Sequence, residues 1–249
     1  MNQQVVLITG ALTGIGRAAA FAFARAGAKL VVSGRSQERG SDLVAELKKL
    51  GAEALFAQAD VRNEAQVAAL VDAAVQHFGR LDVAVNNAGT EGTPGPISAQ
   101  TAETYAQTFD TNVLGVVLSL KHELRVMQPR KSGSIINISS TYGHGGAAFA
   151  ALYSASKHAV EGLTRSAALE VAGSGVRVNS VAPGPTDTAM LDRFAGSEEN
   201  KKGMVGGVPL GRLGGTSEIA EAIVFLASDG ASFITGQILT ADGGKSAGF

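Results

Sequence analysis

Apolar positions along this 249-residue chain follow two rhythms in alternation. Short aliphatic, β-branched runs fall near residues 4–9, 28–33, 53–57, 81–85, 133–139, 175–182 and 236–241. They are continuous rather than alternating, as strands buried on both faces of a parallel sheet must be. Longer amphipathic stretches at about 15–26, 37–50, 64–78, 98–127, 152–172 and 216–228 predict helices. Alternation of the two over the whole length predicts an α/β fold, a doubly wound parallel sheet with helices on both faces. No linker, charge run or low-complexity segment divides it, so residues 1–249 read as a single domain. One stretch breaks the rhythm. Between Asp187 and Gly215 the sequence is polar and punctuated by Gly196, Gly203, Gly206, Gly207, Pro209, Gly211 and Gly214. In this position residues 188–214 read as a mobile substrate lid, with a plain surface loop as the alternative.

Glycine marks the junctions. Val5-Val6-Leu7-Ile8 runs into Thr9-Gly10-Ala11-Leu12-Thr13-Gly14-Ile15-Gly16 and then into an alanine-rich helix. Strand, glycine-rich turn and helix are the context of a Rossmann dinucleotide fingerprint. Gly10 permits the tight turn, Gly14 lets backbone approach a pyrophosphate, and Gly16 lets helix and strand pack closely. The spacing is G-x-x-x-G-x-G, and the alternative is a glycine-rich turn that binds nothing.

A second motif is Tyr153-Ser154-Ala155-Ser156-Lys157, which opens an apolar helical run. A spacing of four places Tyr153 and Lys157 on one helix face. A free tyrosine, with a pKa of about 10, is a poor acid or base near neutral pH. A cation one turn away favours the phenolate and is expected to bring that pKa down, which makes a proton donor for a carbonyl or an acceptor for an alcohol. Alone, such a pair is usually a lysine stem lying along a surface.

Composition removes other classes. Hydrophobic content of 45%, 17% charged residues and a net charge of −1 leave no electrostatic footprint for nucleic acid or an anionic membrane. No window approaches a transmembrane helix, and the first strand starts too early for a signal peptide to precede it. A cytoplasmic protein with neither nucleic-acid nor membrane partner is the expectation. There is no cysteine, hence no disulfide, thiolate nucleophile or zinc–cysteine site. His77, His122 and His158 fall on helices without metal-ligand spacing, so no metal is expected. His144, in Ser140-Thr141-Tyr142-Gly143-His144, falls beside the expected pocket as a substrate contact or as an exposed loop residue.

Thr9 to Gly16, Asn86-Asn87-Ala88-Gly89, Asn112, Ser140, Tyr153 with Lys157, and Pro183-Gly184 together resemble the short-chain dehydrogenase/reductase family, in its single-domain branch of about this length. The resemblance runs from Val5 to Gly244. It implies hydride transfer between a nicotinamide cofactor and a carbonyl or secondary alcohol. It also implies a catalytic set of Asn112, Ser140, Tyr153 and Lys157. Ser140, selected over Ser139 by the family spacing, would hold the substrate oxygen against Tyr153. Lys157 would bind the nicotinamide ribose and lower the tyrosine pKa. Asn112 would hold a relay water, or is simply a buried, hydrogen-bonded asparagine.

The same resemblance assigns cofactor contacts to Gly10, Thr13, Gly14, Ile15 and Gly16, and to Asn86, Ala88 and Gly89 after the fourth strand. Asn86 braces the sheet there. Asp60 and Val61 would meet the adenine, with a helix N-cap as the other role for Asp60. Pro183, Gly184, Thr186 and Thr188 would meet the carboxamide side, with Tyr153 and Lys157 completing the set. Where relatives that use NAD place an acid at the end of the second strand, this chain has Gly34 followed by Arg35. A guanidinium grips a 2′-phosphate that a carboxylate would repel. NADP(H) is favoured and NAD(H) is the alternative, because Thr13 stands where relatives often add a second basic residue. Arg17 lies one turn further on.

Expected pocket walls are Gly92 to Ile97, His144 to Leu152, Pro185, and Met190, Leu191, Phe194 and Met204 of the lid. They are small or apolar, carry no Lys or Arg before the lid, and predict a neutral hydrophobic ketone as substrate. Rival functions are a 3-oxoacyl-carrier-protein reductase, for which Lys131 would be one half of a basic pair with Ser174 at the other position, and a non-catalytic NADP(H)-binding sensor. Surplus apolar positions at Val113, Val116, Val117, Leu120, Leu163, Ala167 and Val171, with the last strand, predict a homotetramer by family likeness.

Overall fold

A computed structural model describes residues 3–247. Seven strands form one sheet: β1 (Val5–Ile8), β2 (Lys29–Gly34), β3 (Ala54–Gln58), β4 (Val83–Asn86), β5 (Gly133–Ile138), β6 (Val176–Pro183) and β7 (Ile238–Ala241). All pairings are parallel, in the order β3-β2-β1-β4-β5-β6-β7. Helices α1 (Gly14–Arg25), α2 (Gln37–Lys49), α3 (Glu64–Phe78), α4 (Ala102–Phe109), α5 (Gly115–Met127), α6 (Ala151–Val171), α7 (Ala189–Ala195), α8 (Glu198–Gly206) and α9 (Thr216–Ala227) complete the chain.

The continuous apolar runs are explained by two cores, one on each face. Val6 and Ile8 of β1 pack with Phe23 of α1 and Ile219, Ile223 and Leu226 of α9. Their neighbours Val5 and Leu7 point the other way, to Leu70 and Val71 of α3, Leu120 of α5 and Val160 of α6. Successive side chains thus enter opposite cores, and neither position tolerates a polar group. Strand order reverses between β1 and β4, which opens a crevice at their carboxyl ends.

Two predicted segments differ from expectation. The long helix over 98–127 is interrupted. Thr101 caps α4, accepting from Thr104 N at 3.3 Å, and a π-helical turn, Asp110–Leu114, joins α4 to α5. Such single-turn insertions cluster at functional sites, and this one contains the buried Asn112. The glycine-punctuated insert is largely helical. Thr188 caps α7 and Ser197 caps α8 (Leu191 N and Asn200 N, 3.2 Å each), while Gly196, at φ 70°, turns the chain between them. Capping serine and threonine outweighed the low helix propensity of Gly203 and Gly206. Among the described residues, no helix is long and apolar enough to cross a membrane, and no cluster of side chains could hold a metal ion.

Beneath the crevice lies a buried polar chain. Asn86 Nδ2 donates to Asn137 Oδ1 (3.0 Å) and to Glu123 Oε2 (3.1 Å), and Asn137 Nδ2 donates to Thr164 Oγ1 (2.9 Å). Glu123 is fully buried, and desolvation pushes its carboxyl up to about 8 despite the Asn86 bond. A glutamate in the unfolded chain ionises near 4.5. Between these values the folded state retains a proton that the unfolded state has lost, so this group makes stability fall as pH rises. The melting temperature of wild type is therefore expected to drop between pH 5 and pH 8 more steeply than that of Glu123→Gln; parallel profiles by scanning calorimetry would mean that Glu123 is ionised in the fold.

Candidate active site

One cavity of about 1320 Å³ occupies the crevice. Of the residues nominated as catalytic or cofactor-binding, all border it except Gly16, Asn86 and Asn112. Those three lie one layer behind. Gly10 has φ 64°, and a Cβ there would stand 2.8 Å from Ala88 Cα. A Cβ on Gly16 would stand 2.4 Å from both Asn87 Nδ2 and Gly10 O. Asn87 explains this crowding: its Nδ2 donates to Thr9 O (3.1 Å) and Gly10 O (3.0 Å), while Thr9 Oγ1 accepts from the backbone of Asn87 and Ala88. The glycine turn and the end of β4 are thereby laced together. Asn86 is a brace of the sheet, as its bonds to Asn137 and Glu123 show, and contributes no cavity surface.

The first turn of α1 has neither a side-chain cap at Thr13 nor an acidic residue. Its N–H groups and the positive end of its dipole face the cavity unneutralised, which suits a pyrophosphate. At the same end, Arg35 is exposed without an ion-pair partner among the described residues. Arg39 joins it from α2, its Nη2 reaching Leu12 O at 3.5 Å. Arg39 thus places a second cation at this end, where Thr13 provides none; its position four residues after Arg35, on the helix following β2, was the signal available in the sequence. Arg17 is committed to Glu46 at 2.6 Å. Asp60 is no helix cap, since Asn63 caps α3. Its carboxylate is gripped by Arg62 (Nη2 to Oδ2 2.6 Å, Nε to Oδ1 3.0 Å), and that bond holds it below the usual carboxylate range.

At the other end Ser140, Tyr153 and Lys157 converge. Ser140, just past β5, accepts from Tyr142 N at 3.2 Å, leaving its hydroxyl proton to be donated into the cavity. Ser139 is turned away: its hydroxyl donates to Glu161 Oε1 at 3.0 Å. His144 Nδ1 meets the same oxygen at 2.9 Å, so His144 belongs to this cluster and borders no part of the cavity. Lys157 Nζ is buried, donates to Ile138 O at 2.8 Å and lies 5.6 Å from the centre of the Tyr153 ring. Asn112 holds the loop after β4 at both of its polar ends, accepting from Thr90 N (2.8 Å) and donating to Thr90 O (2.9 Å), with Ser156 Oγ at 3.0 Å. Its side chain is spent on the protein.

The electrostatics reverse one expectation. Burial pushes the Tyr153 phenol up to about 12; the Ser140 hydroxyl pulls the other way, and the Glu91 charge adds to the rise. Burial alone brings the Lys157 ammonium down to about 8. A lysine that is itself desolvated, 5.6 Å off and bonded to a carbonyl does not offset the desolvation of the phenol. In this state Tyr153 is a proton donor.

The walls also differ from the sequence reading. Pro185, Met190, Leu191, Phe194 and Met204 line the cavity as expected, but of Gly92 to Ile97 only Gly92 does, and none of His144 to Leu152 does. Tyr142 takes their place, edge-on to Tyr153 (centroids 6.4 Å apart) and tilted against Phe194 (6.1 Å). Charged residues enter too. Arg193 of α7 pairs with Glu91 (Nε to Oε1 2.5 Å, Nη2 to Oε2 3.2 Å), and Lys245 arrives from beyond β7.

A family model described as enoyl-(acyl carrier protein) reductase matches residues 10–246. The cis-4-hydroxycyclohexanecarboxylate dehydrogenase of Sinomonas cyclohexanicum is 43% identical over 98% of this chain and 97% of its own. The crystal structure of levodione reductase superposes with a TM-score of 0.97 at 36% identity, covering all of both chains. That of ElxO with NADP bound gives 0.91 at 36% identity, over 98% of this chain and 99% of the other.

Proposed function

The chain belongs to the short-chain dehydrogenase/reductase family, oxidoreductases of alcohol and ketone groups, and from that premise we propose that it is an NADP(H)-dependent enzyme interconverting a ketone and a secondary alcohol on an apolar, ring-sized substrate. The observation that carries this reading is the meeting of Ser140, Tyr153 and Lys157 at one end of a cavity whose other end holds Arg35 and Arg39. The relative from Sinomonas, named for an alicyclic secondary alcohol, supports the ring.

When bound, the nicotinamide supplies a hydride to the carbonyl carbon. The α1 N-terminus and the glycine turn would hold its pyrophosphate, Arg35 and Arg39 its 2′-phosphate, and Lys157 its ribose. The chain's own work is at the oxygen. Ser140 donates a hydrogen bond to it and Tyr153 transfers its proton as negative charge builds there. A phenol held near 12 is fully protonated at neutral pH, which suits reduction; oxidation needs the phenolate and is favoured as pH rises. Burial of Lys157 keeps its charge close to neutralisation, so its proton is available to restore that of Tyr153. Glu91, only 10% exposed, is closed by Arg193, so this pair leaves no free cation for a carboxylate attached directly to the reacting carbonyl. Helices α7 and α8 act as the substrate lid, and the Glu91–Arg193 pair fastens α7 to the loop after β4.

The face for assembly is also redrawn. Val116, Leu120, Ala167 and Val171 are buried in the chain's own core, whereas Tyr105, Leu114, Val117 and Leu169 are exposed along α4, the π turn, α5 and α6. Phe225 and Phe233 lie exposed near the free edge of β7. Two such patches support a homotetramer with two kinds of two-fold interface.

Three outcomes test these readings. Tyr153→Phe is expected to lower kcat by at least about 10²-fold with little change in NADPH affinity; wild-type turnover would remove Tyr153 from its role. kcat/KM is expected to favour NADPH over NADH by about 10-fold or more, and Arg35→Ala combined with Arg39→Ala to abolish the preference, since each contact to phosphate is worth roughly 1.5–3 kcal/mol. Light scattering at micromolar concentration is expected to give four chains per particle, and a monomer would refute the assembly.

A further inference from the structure

Lys245 belongs to none of the roles above, yet it lines the cavity. Its ammonium lies 5.0 Å from the centre of the Tyr142 ring. A ring face attracts a cation without neutralising it. Among the described residues no carboxylate lies within ion-pair distance of Lys245, and its Nζ has no hydrogen-bond acceptor. The other cations at this end are committed: Arg193 to Glu91, Lys157 to Ile138 O, and the neighbouring Lys201 to Asp187 and Asp192.

The backbone that carries Lys245 is held in place. The Asp242 carboxylate accepts from Gly244 N (2.9 Å), from Ser246 N (2.7 Å) and from Ser246 Oγ (2.6 Å). One side chain thus clamps the residues on both sides of Lys245. Gly243 O accepts from Leu210 N at 3.1 Å, which ties the segment to the chain beyond α8. The clamped backbone fixes where the Lys245 side chain starts, so no loop has to be ordered when its ammonium meets an anion.

Position decides which anion. Lys245 lies over the ring of Tyr142, not that of Tyr153, which Tyr142 meets edge-on with centroids 6.4 Å apart. A carboxylate on the reacting carbon would lie at Tyr153, where no free cation faces it: Arg193 is spent on Glu91 and Lys157 donates to Ile138 O. A carboxylate on the far side of a ring would pass Tyr142 and reach Lys245, while the ring itself fills the apolar space formed by Tyr142, Phe194 and Met190. We propose that Lys245 forms a subsite for a carboxylate carried by the substrate at a position remote from its carbonyl, so that the preferred substrates are oxo- or hydroxy-substituted alicyclic acids rather than neutral ketones. This inference rests on the ketone-reductase reading and replaces the neutral substrate that the sequence implied. The sequence argument found no cation in the walls because Lys245 lies about sixty residues beyond the last wall segment it weighed apart from the lid.

The test pairs 4-oxocyclohexanecarboxylate with its methyl ester, each assayed with NADPH, in wild type, Lys245→Met and Lys245→Arg. The ratio of kcat/KM for acid over ester is expected to exceed 1 in wild type, to fall about 10- to 100-fold in Lys245→Met mainly through KM, as loss of one charge-assisted contact implies, and to be largely kept in Lys245→Arg. Calorimetry with cyclohexanecarboxylate on the NADP⁺-loaded protein reads the same contact without turnover, and should weaken by a similar factor in Lys245→Met. An unchanged ratio with unchanged calorimetric affinity overturns the subsite while ester reduction leaves the reductase reading standing. A wild type that reduces neither ketone overturns the reductase reading, and the calorimetric arm still decides whether Lys245 holds a carboxylate.

Discussion

The amide of Asn87 is the contact on which the site depends. Parallel strands diverge where the sheet reverses its order, and something must hold β1 and β4 at a fixed opening. Asn87 does so by donating to two successive carbonyls of the glycine turn while Thr9 accepts from the loop that follows β4. Those bonds set how far the N-terminus of α1 stands from the inner end of the crevice, and hence the span between the phosphate end and Tyr153. The glycines follow from the same contact. Gly10 and Gly16 are needed because Asn87 and Ala88 occupy the space in which a Cβ would lie. The turn is therefore a packing solution first, and its open N–H groups are the consequence that chemistry uses.

Burial does two opposed things at the inner end. It raises the phenol and lowers the ammonium, so each proton becomes harder or easier to lose in the direction opposite to what a simple ion pair would give. The pair is matched in another sense. A lysine near 8 can exchange protons at neutral pH, which a lysine near its ordinary value could not. A tyrosine that donates a proton, as proposed, needs one returned, and a nearby group of moderate pKa suits that return. Desolvation of the same few side chains would then provide both the donor and its recharging group, without a dedicated histidine. His144, which the sequence placed nearby, is tied instead to the buried Glu161 behind Ser139.

How legible this was in the sequence depends on whether a feature is local. The strands were legible because each one faces two cores, which forces an unbroken apolar run such as Val5 to Ile8. The Tyr153–Lys157 spacing and the glycine turn are local too, and both border the cavity as expected. The choice of Ser140 over Ser139 rested on spacing; the structure supplies the reason, since Ser139 is spent on Glu161. Features that arise from distant partners were not legible. Nothing near Tyr142 announces Lys245, about a hundred residues on. The π turn was hidden for a related reason: it exists to bring Asn112 to Thr90, a contact between segments 22 residues apart. The helices of the insert were legible in principle, in Thr188 and Ser197 as caps, but glycine content was given more weight than capping.

Charge along the cavity gives the site a polarity that neither end shows alone. At the adenosine end the exposed guanidiniums of Arg35 and Arg39 face the solvent side of the glycine turn, and the acid nearby, Asp60, is already neutralised by Arg62. At the substrate end the acid nearest the reacting centre, Glu91, is neutralised by Arg193, and Lys245 is left over. Each end thus contains an acid closed off by its own arginine and at least one cation without an anionic partner among the described residues. A protein of net charge −1 has no general excess of cations to distribute, and their concentration along one crevice fits the anionic ligands proposed for it. Two anionic groups, one on the cofactor and one on the substrate, would complete that pattern, with the uncharged reacting carbonyl between them where Ser140 and Tyr153 meet it. Lys245 is the place at the substrate end where the described residues leave a cation without an anionic partner.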